Sequence, residues 1–236
     1  MQDALPENLF ERQDEMPDSL FYSQPRLVYH IDEYAVAAVT EAYRRFLPPS
    51  GKYLDLMSSW VSHFPPEMTI RHLVGHGMNE VELQRNTALS EYFVQDLNVN
   101  PVLPFADGTF DGVVICVSIQ YLTRPVDVFR EIARVLKPAA PLIVSFSNRC
   151  FPSKAVRIWR SINDEQHGRL VGMYAQAAGG FEAADFHDFS PRLTLIGVPE
   201  DTELRRRVTT GEIYTDPLYV VVVRRSSLPE EVTGSG

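Results

Sequence analysis

The stretch with the clearest capacity for chemistry is Gly51-Lys52-Tyr53-Leu54-Asp55-Leu56-Met57-Ser58-Ser59-Trp60. An apolar run reaches a carboxylate, Asp55, and then breaks into a short polar turn. The first strand of an open α/β sheet delivers an acid to its ligand crevice in this way. About 20 residues further on, a nucleotide site would carry an acid for the ribose hydroxyls. The chain has Gly75-His76-Gly77-Met78-Asn79 there instead. Asn79 has the groups to meet a ribose and equally those to cap a helix, Met78 can cover a base or fill a core, and His76 reads as a solvent-facing histidine ahead of a pocket residue. A third group, Tyr22, Arg26, His30 and Asp32, crowds aromatic, basic and acidic side chains into a short span. It reads either as a lid over a pocket, with Arg26 pairing a carboxylate, or as a segment docked on the sheet.

The totals restrict what such groups can serve. With 236 residues, 44% of them hydrophobic and 22% charged, the chain can bury one sizeable core. Its apolar runs, such as Val113 to Val117 and Tyr219 to Val223, fall far short of the ~20 residues of a membrane helix, and the acidic start has no signal-peptide layout. The expectation is a cytoplasmic protein with no membrane partner. A formal net charge of −9 argues against nucleic acid as a partner. Cys116 and Cys150 read as reduced thiols, and six histidines without paired spacing make no case for a metal.

The elements that must position these groups follow from periodicity. Residues 1–20 are polar and lack a period, which predicts a flexible arm, and 21–50 read as an amino-terminal lid and helix. Asp32 is placed to cap that helix, whose apolar face is Ile31, Ala35, Ala38, Val39, Ala42 and Phe46. Strands are predicted at Tyr53 to Met57, Ile70 to Val74, Tyr92 to Val94, Val113 to Ser118 and Leu142 to Phe146. The link holding Pro65 and Pro66 has room for only a turn or two of helix near Trp60 to Phe64. Helices are expected from Asn79 to Asn86, from Pro125 to Leu136 and from Asp164 to Ala178. Phe181 to His187 and Leu218 to Arg225 read as two last strands around an irregular insertion, 188–217. The main domain spans 21–225 and a disordered tail 226–236. Alternating strands and helices imply a parallel sheet.

Leu103-Pro104-Phe105-Ala106-Asp107-Gly108-Thr109-Phe110-Asp111, followed by a strand, resembles the Leu-Pro-Phe-x-Asp-x-x-Phe-Asp signature of class I S-adenosylmethionine-dependent methyltransferases of the small-molecule, type 11 group. The run Val126 to Pro138 resembles that family's helix and turn before strand five. The likeness is good over about Gly51 to Phe151. It implies a Rossmann-like, doubly wound α/β fold with a seven-stranded, mostly parallel sheet whose last strand is antiparallel and inserted beside strand five. It implies S-adenosylmethionine as cofactor, with Asp55 near its amino-acid part and Ser58 in the adjoining turn. Asn79 falls at the ribose and Met78 at the adenine, Asp96 would accept from the adenine amino group, and the Leu97 amide would read a ring nitrogen. Ser118 leaves strand four where the methyl group would meet the acceptor. The family's Gly-x-Gly-x-Gly has become Met57-Ser58-Ser59-Trp60-Val61, without the glycines that permit positive φ and close approach.

Ser118-Ile119-Gln120-Tyr121 is not the tetrad of amino-group methylases that act on adenine or glutamine, which argues for a small-molecule acceptor. If that acceptor must lose a proton, His30, His167 and Tyr121 are the candidates for the work, with Tyr22 and Arg26 on the substrate side. Two readings follow: an active methyltransferase, or a protein that keeps the fold and serves as a catalytically inactive binding or regulatory subunit.

Overall fold

The computed structural model describes residues 6–227. Seven strands form one sheet: β1 (Ser50–Leu56), β2 (Thr69–Gly77), β3 (Glu91–Val94), β4 (Gly112–Cys116), β5 (Pro141–Phe146), β6 (Asp185–Asp188) and β7 (Tyr219–Arg224). Their order is β3-β2-β1-β4-β5-β7-β6, parallel from β3 to β5, with β7 antiparallel to both β5 and β6. The helices are α1 (Asp18–Phe21), α2 (Glu33–Phe46), α3 (Glu80–Arg85), α4 (Pro125–Val135), α5 (Arg157–Ser161), α6 (Asp164–Ala178), α7 (Pro191–Thr194) and α8 (Thr202–Thr209). Chain order changes direction between β1 and β4, and ligand crevices of such sheets open at that point.

Period-2 alternation divides the strands between two apolar layers. Val113 and Ile115 of β4, with Leu142 and Val144 of β5, pack on the face covered by α4 and α6, together with Phe129, Ile132, Leu170 and Tyr174. Val114, Ile143, Val220 and Val222 point the other way, onto Ala35, Ala38, Val39 and Ala42 of α2. Asp32 caps α2 as expected, accepting from the Ala35 amide at 2.8 Å.

Three expectations are corrected. β2 extends through Gly75, His76 and Gly77, because those residues pair with Tyr92, Phe93 and Val94 of β3. The link from β1 to β2 forms no helix, since Ser58 and Ser62 hydrogen-bond to Asp55 while Pro65 and Pro66 remove backbone donors. The insertion 188–217 carries α7 and α8 and is ordered against α2 through Phe189 and Ile196.

The arm expected to be flexible is docked from Pro6 onward; residues 1–5 of it, and 228–236 of the expected tail, lie outside the described residues. The Lys154 ammonium, 0% exposed, contacts the Met16 carbonyl at 2.6 Å, the Asp14 carbonyl at 3.1 Å and the Asp18 carboxylate at 3.2 Å. Arg12 grips the same carboxylate with bonds of 2.7 and 2.8 Å, and Asn98 adds a third donor at 2.9 Å. A polar sequence thus orders because its charges find buried partners of opposite sign. Burial tends to raise the Asp18 pKa, but the bonds from Arg12, Asn98 and Lys154 outweigh it and hold the carboxyl below its ordinary value.

Arg12→Ala leaves Asp18 buried with less compensation, and we expect a loss of about 3 kcal/mol at pH 7 in urea unfolding. A depressed folded pKa contributes stability above the unfolded value and loses it as the pH falls through the folded one. The difference between wild type and variant should therefore shrink below about pH 4. Equal unfolding midpoints at pH 7 would show that the ion cluster does not hold the arm.

Candidate functional site

Asp55 ends β1 because the strand, paired to β2 and β4 on its two sides, carries it to the edge of both ladders. Only 4% of it is exposed, and the side chains bonded to it are the hydroxyls of Ser58, at 2.7 Å, and Ser62. Desolvation dominates these two donors and pushes its pKa up to about 6. Among the described residues no lysine or arginine pairs with it. A buried carboxylate so placed favours a cationic ligand.

Around it lies a cavity of about 280 Å³ at the carboxyl ends of β1 to β5. Asp55, Ser58, Met78, Asn79, Asp96, Leu97, Ser118, Tyr121, Tyr22 and His30, widely separated in sequence, all line it. Arg26 does not. Its guanidinium lies 4.5 Å from the Phe21 ring centroid and 5.3 Å from that of Phe151, and donates to the Phe21 carbonyl at 2.9 Å. Stacking on aromatic faces holds the cation behind the wall of the cavity, which corrects its expected place on the substrate side.

The turn after β1 keeps one feature that glycine normally provides. Met57 adopts φ +58, a conformation uncommon for a residue with a side chain. Its amide donates to Nδ1 of His76 at 3.1 Å, and Nε2 of His76 donates to the Gln95 carbonyl at 2.9 Å. His76 is therefore a buried strut between the ends of β1 and β3, and burial lowers its pKa to about 4. Next, the Ser58 amide reaches the His76 carbonyl at 2.6 Å, and the Ser58 carbonyl would sit 2.6 Å from a Cβ at position 77. No side chain fits at Gly77, so the end of β2 carries no acid at that position.

Asn79 is spent on other work: its Oδ1 caps α3 at the Glu82 amide and its Nδ2 holds the Tyr22 carbonyl at 2.8 Å. The carboxylate beside that place is Glu82, buried in the cavity wall. It accepts from the Arg26 amide at 2.7 Å and from the Ser59 hydroxyl at 2.6 Å. Its position as the third residue after a helix cap hides this role in the sequence. Asp96 uses one oxygen to accept from the Asn98 amide at 2.9 Å, and the Leu97 amide donates to no group among the described residues. At the end of β4, Val117 takes φ +44, an outlier for a β-branched residue. Beside it the Ser118 hydroxyl is buried without a hydrogen-bond partner.

The remaining wall comes from the arm and from the segments after β4 and β5. Tyr121 accepts from the Phe151 amide at 2.8 Å, and burial pushes its phenol up to about 12. Partial burial lowers the pKa of His30, whose ring stands edge-on to Phe151. His63 and Arg149 also reach the cavity, and neither carries a motif that marks it in the sequence. Burial lowers His63 to about 4. For S-adenosylmethionine the fit is favourable: a buried acid that no lysine or arginine among the described residues neutralises lines a cavity whose wall also holds Asp96 and Leu97.

Residues 74–144 match the model of a methyltransferase domain family. No protein of curated function matches the chain by sequence. Among solved structures, it is similar to the complex between the Haloferax volcanii Trm112 methyltransferase activator and a methyltransferase, with 16% identity over 84% of this chain and 92% of that one, at a TM-score of 0.57. It is similar to an S-adenosylmethionine-dependent methyltransferase from Mesorhizobium loti, with 17% identity over 80% of this chain and 98% of that one, at 0.54. The cyclase SpnF shows 20% identity over 80% of both chains, at 0.53. The strand order, the crevice at its switch point and the match over residues 74–144 together make this chain a protein of the class I S-adenosylmethionine-dependent methyltransferase fold.

Proposed function

We propose that the protein transfers a methyl group from S-adenosylmethionine to a small-molecule acceptor. The observation that carries this reading is Asp55, an acid kept in a cavity wall without a cation, where an ammonium or sulfonium ligand would complete it. The bound cofactor supplies a methyl group on a positively charged sulfur.

This chain's own residues then bind, orient and exclude water. Asp55, fixed by Ser58 and Ser62, neutralises the amino-acid end. Glu82 replaces the acid that Gly77 cannot carry and accepts from the ribose hydroxyls. Asp96 and the Leu97 amide read the adenine edge, with Met78 against the ring. Ser118 lines the join between cofactor and acceptor. Tyr121 keeps its proton at neutral pH and serves as a donor that orients the acceptor. His30 is neutral there and is the group able to take a proton from it. Residues of the arm close the cavity from above, with Trp60 tied to the Val28 carbonyl at 3.0 Å. The acceptor is a small molecule on this reading because the site is a cavity of about 280 Å³.

Calorimetric titration with S-adenosylhomocysteine tests the reading, and absence of heat at millimolar ligand would sink it. Asp55→Asn should weaken binding at least tenfold while stabilising the free protein at pH 8 by about 2 kcal/mol, because it removes a desolvated charge. The sign follows from the raised folded pKa: protonation relieves the free protein as the pH falls through about 6. The ligand needs the ionised acid, so affinity should drop about tenfold between pH 7 and pH 5 in wild type and stay flat in Asp55→Asn. Glu82→Gln should abolish the preference for adenosine over 2′-deoxyadenosine; an unchanged ratio would remove Glu82 from the ribose.

A further inference from the structure

The cavity has two halves. Asp55 and Asp96 stand at the ends of β1 and β3 and Glu82 on α3, whereas Tyr121, Arg149 and Phe151 follow β4 and β5. Resting on the proposed function, the second half receives the acceptor. Its titratable groups are nearly all uncharged at neutral pH. Burial raises the phenols of Tyr22 and Tyr121 and the thiol of Cys150, and lowers the imidazole of His30. Arg26 stands behind Phe151, outside the lining. Among the described residues, Arg149 is the one permanent cation in the cavity wall.

Arg149 is also held ready. Its Nε donates to Asp216 Oδ1 at 2.8 Å, and Asp216 is 0% exposed. The Asp216 amide donates to Asp32 Oδ2 at 2.6 Å, while the Asp32 amide donates to Asp216 Oδ2 at 2.9 Å. Asp32 in turn caps the 14-residue α2, whose positive end offsets its charge. The two carboxylates facing Arg149 are thus occupied by backbone donors, the helix end and one edge of the guanidinium. The outer nitrogens Nη1 and Nη2 have no partner among the described residues, and the side chain is 57% exposed. A planar fork with one edge fixed and its outer end open suits bidentate recognition of a carboxylate. The stacked rings of Tyr121 and Phe151, 5.9 Å apart, line the same cavity.

We infer that the methyl acceptor carries a carboxylate on an aromatic or apolar body, and that Arg149 selects it. The carboxylate need not be the atom methylated; its role is to anchor the molecule with the body against Tyr121 and Phe151. Among the described residues this ties acceptor choice to Asp32 and Asp216, at the two ends of the chain, which fix the fork.

The test titrates 4-hydroxybenzoate, indole-3-acetate, 3-phenylpropanoate and the primary amide of each into the protein with and without saturating S-adenosylhomocysteine. At least one acid should bind, its amide at least tenfold more weakly. Arg149→Gln should weaken that acid at least tenfold, with Arg149→Lys between, while S-adenosylhomocysteine affinity stays within twofold. Equal binding of acids and amides, no binding of any acid, or an unchanged affinity in Arg149→Gln overturns the proposal. The comparison of acid with amide on wild type decides even if the variants fail to fold. Binding of S-adenosylhomocysteine is read separately in the same titration, so failure of the cofactor reading is distinguishable from failure of this one.

Discussion

The carboxylate of Asp55 has to be kept charged or chargeable in a place that burial makes unfavourable, and much of the surrounding architecture follows from that. Two hydroxyls reduce the cost without cancelling it. They come from a link too short and too rich in proline to form a helix, so the chain after β1 is free to fold its serines back onto the acid. Had a lysine or arginine paired with Asp55, the acid would be more comfortable and the cavity would have no electrostatic reason to take a cation. The cost is of the kind functional sites retain.

The same turn explains the departure from the usual nucleotide cradle. In the family pattern, glycines let the backbone approach the ligand and an acid after the second strand holds the ribose. Here the turn leans on β2 instead. Ser58 binds His76 through its amide and crowds Gly77 through its carbonyl, and His76 ties the end of β1 to the end of β3. A methionine at positive φ is tolerated because its amide is fixed by that imidazole. The close approach of the Ser58 carbonyl leaves no room for a side chain at position 77, and Glu82 is the nearby carboxylate in the cavity wall.

The arm closes the site from the opposite side. Its docking depends on charges that meet in the interior: Arg12, Asp18 and Lys154 form a compact cluster, and Asn98 links it to the loop after β3 and to the Tyr121 carbonyl. Asn79 and Glu82 hold the next part of the arm through the carbonyl of Tyr22 and the amide of Arg26. Two residues of the cavity wall thus also hold the arm in place.

The sequence by itself determined the sheet, the helix facing it and most of the cavity. Periodicity fixes the two faces of β4 and β5, the Leu103 to Asp111 and Val126 to Pro138 signatures set the fold, and Asp55, Asp96 and Ser118 were legible as residues at the ends of strands. These are local patterns, and short-range geometry enforces them. What only the tertiary structure decided are relations between distant segments. The polar arm has no period, so its order was invisible until Lys154 and Arg12 were seen to meet Asp18. Arg26 had the right type and the wrong neighbours, since three aromatic rings hold it behind the wall. Arg149 and His63 lacked any motif and Glu82 read only as part of a helix start, because nothing in their local sequence records which cavity they line. Side-chain direction depends on what packs from the far end of the chain, and that is set by the fold as a whole.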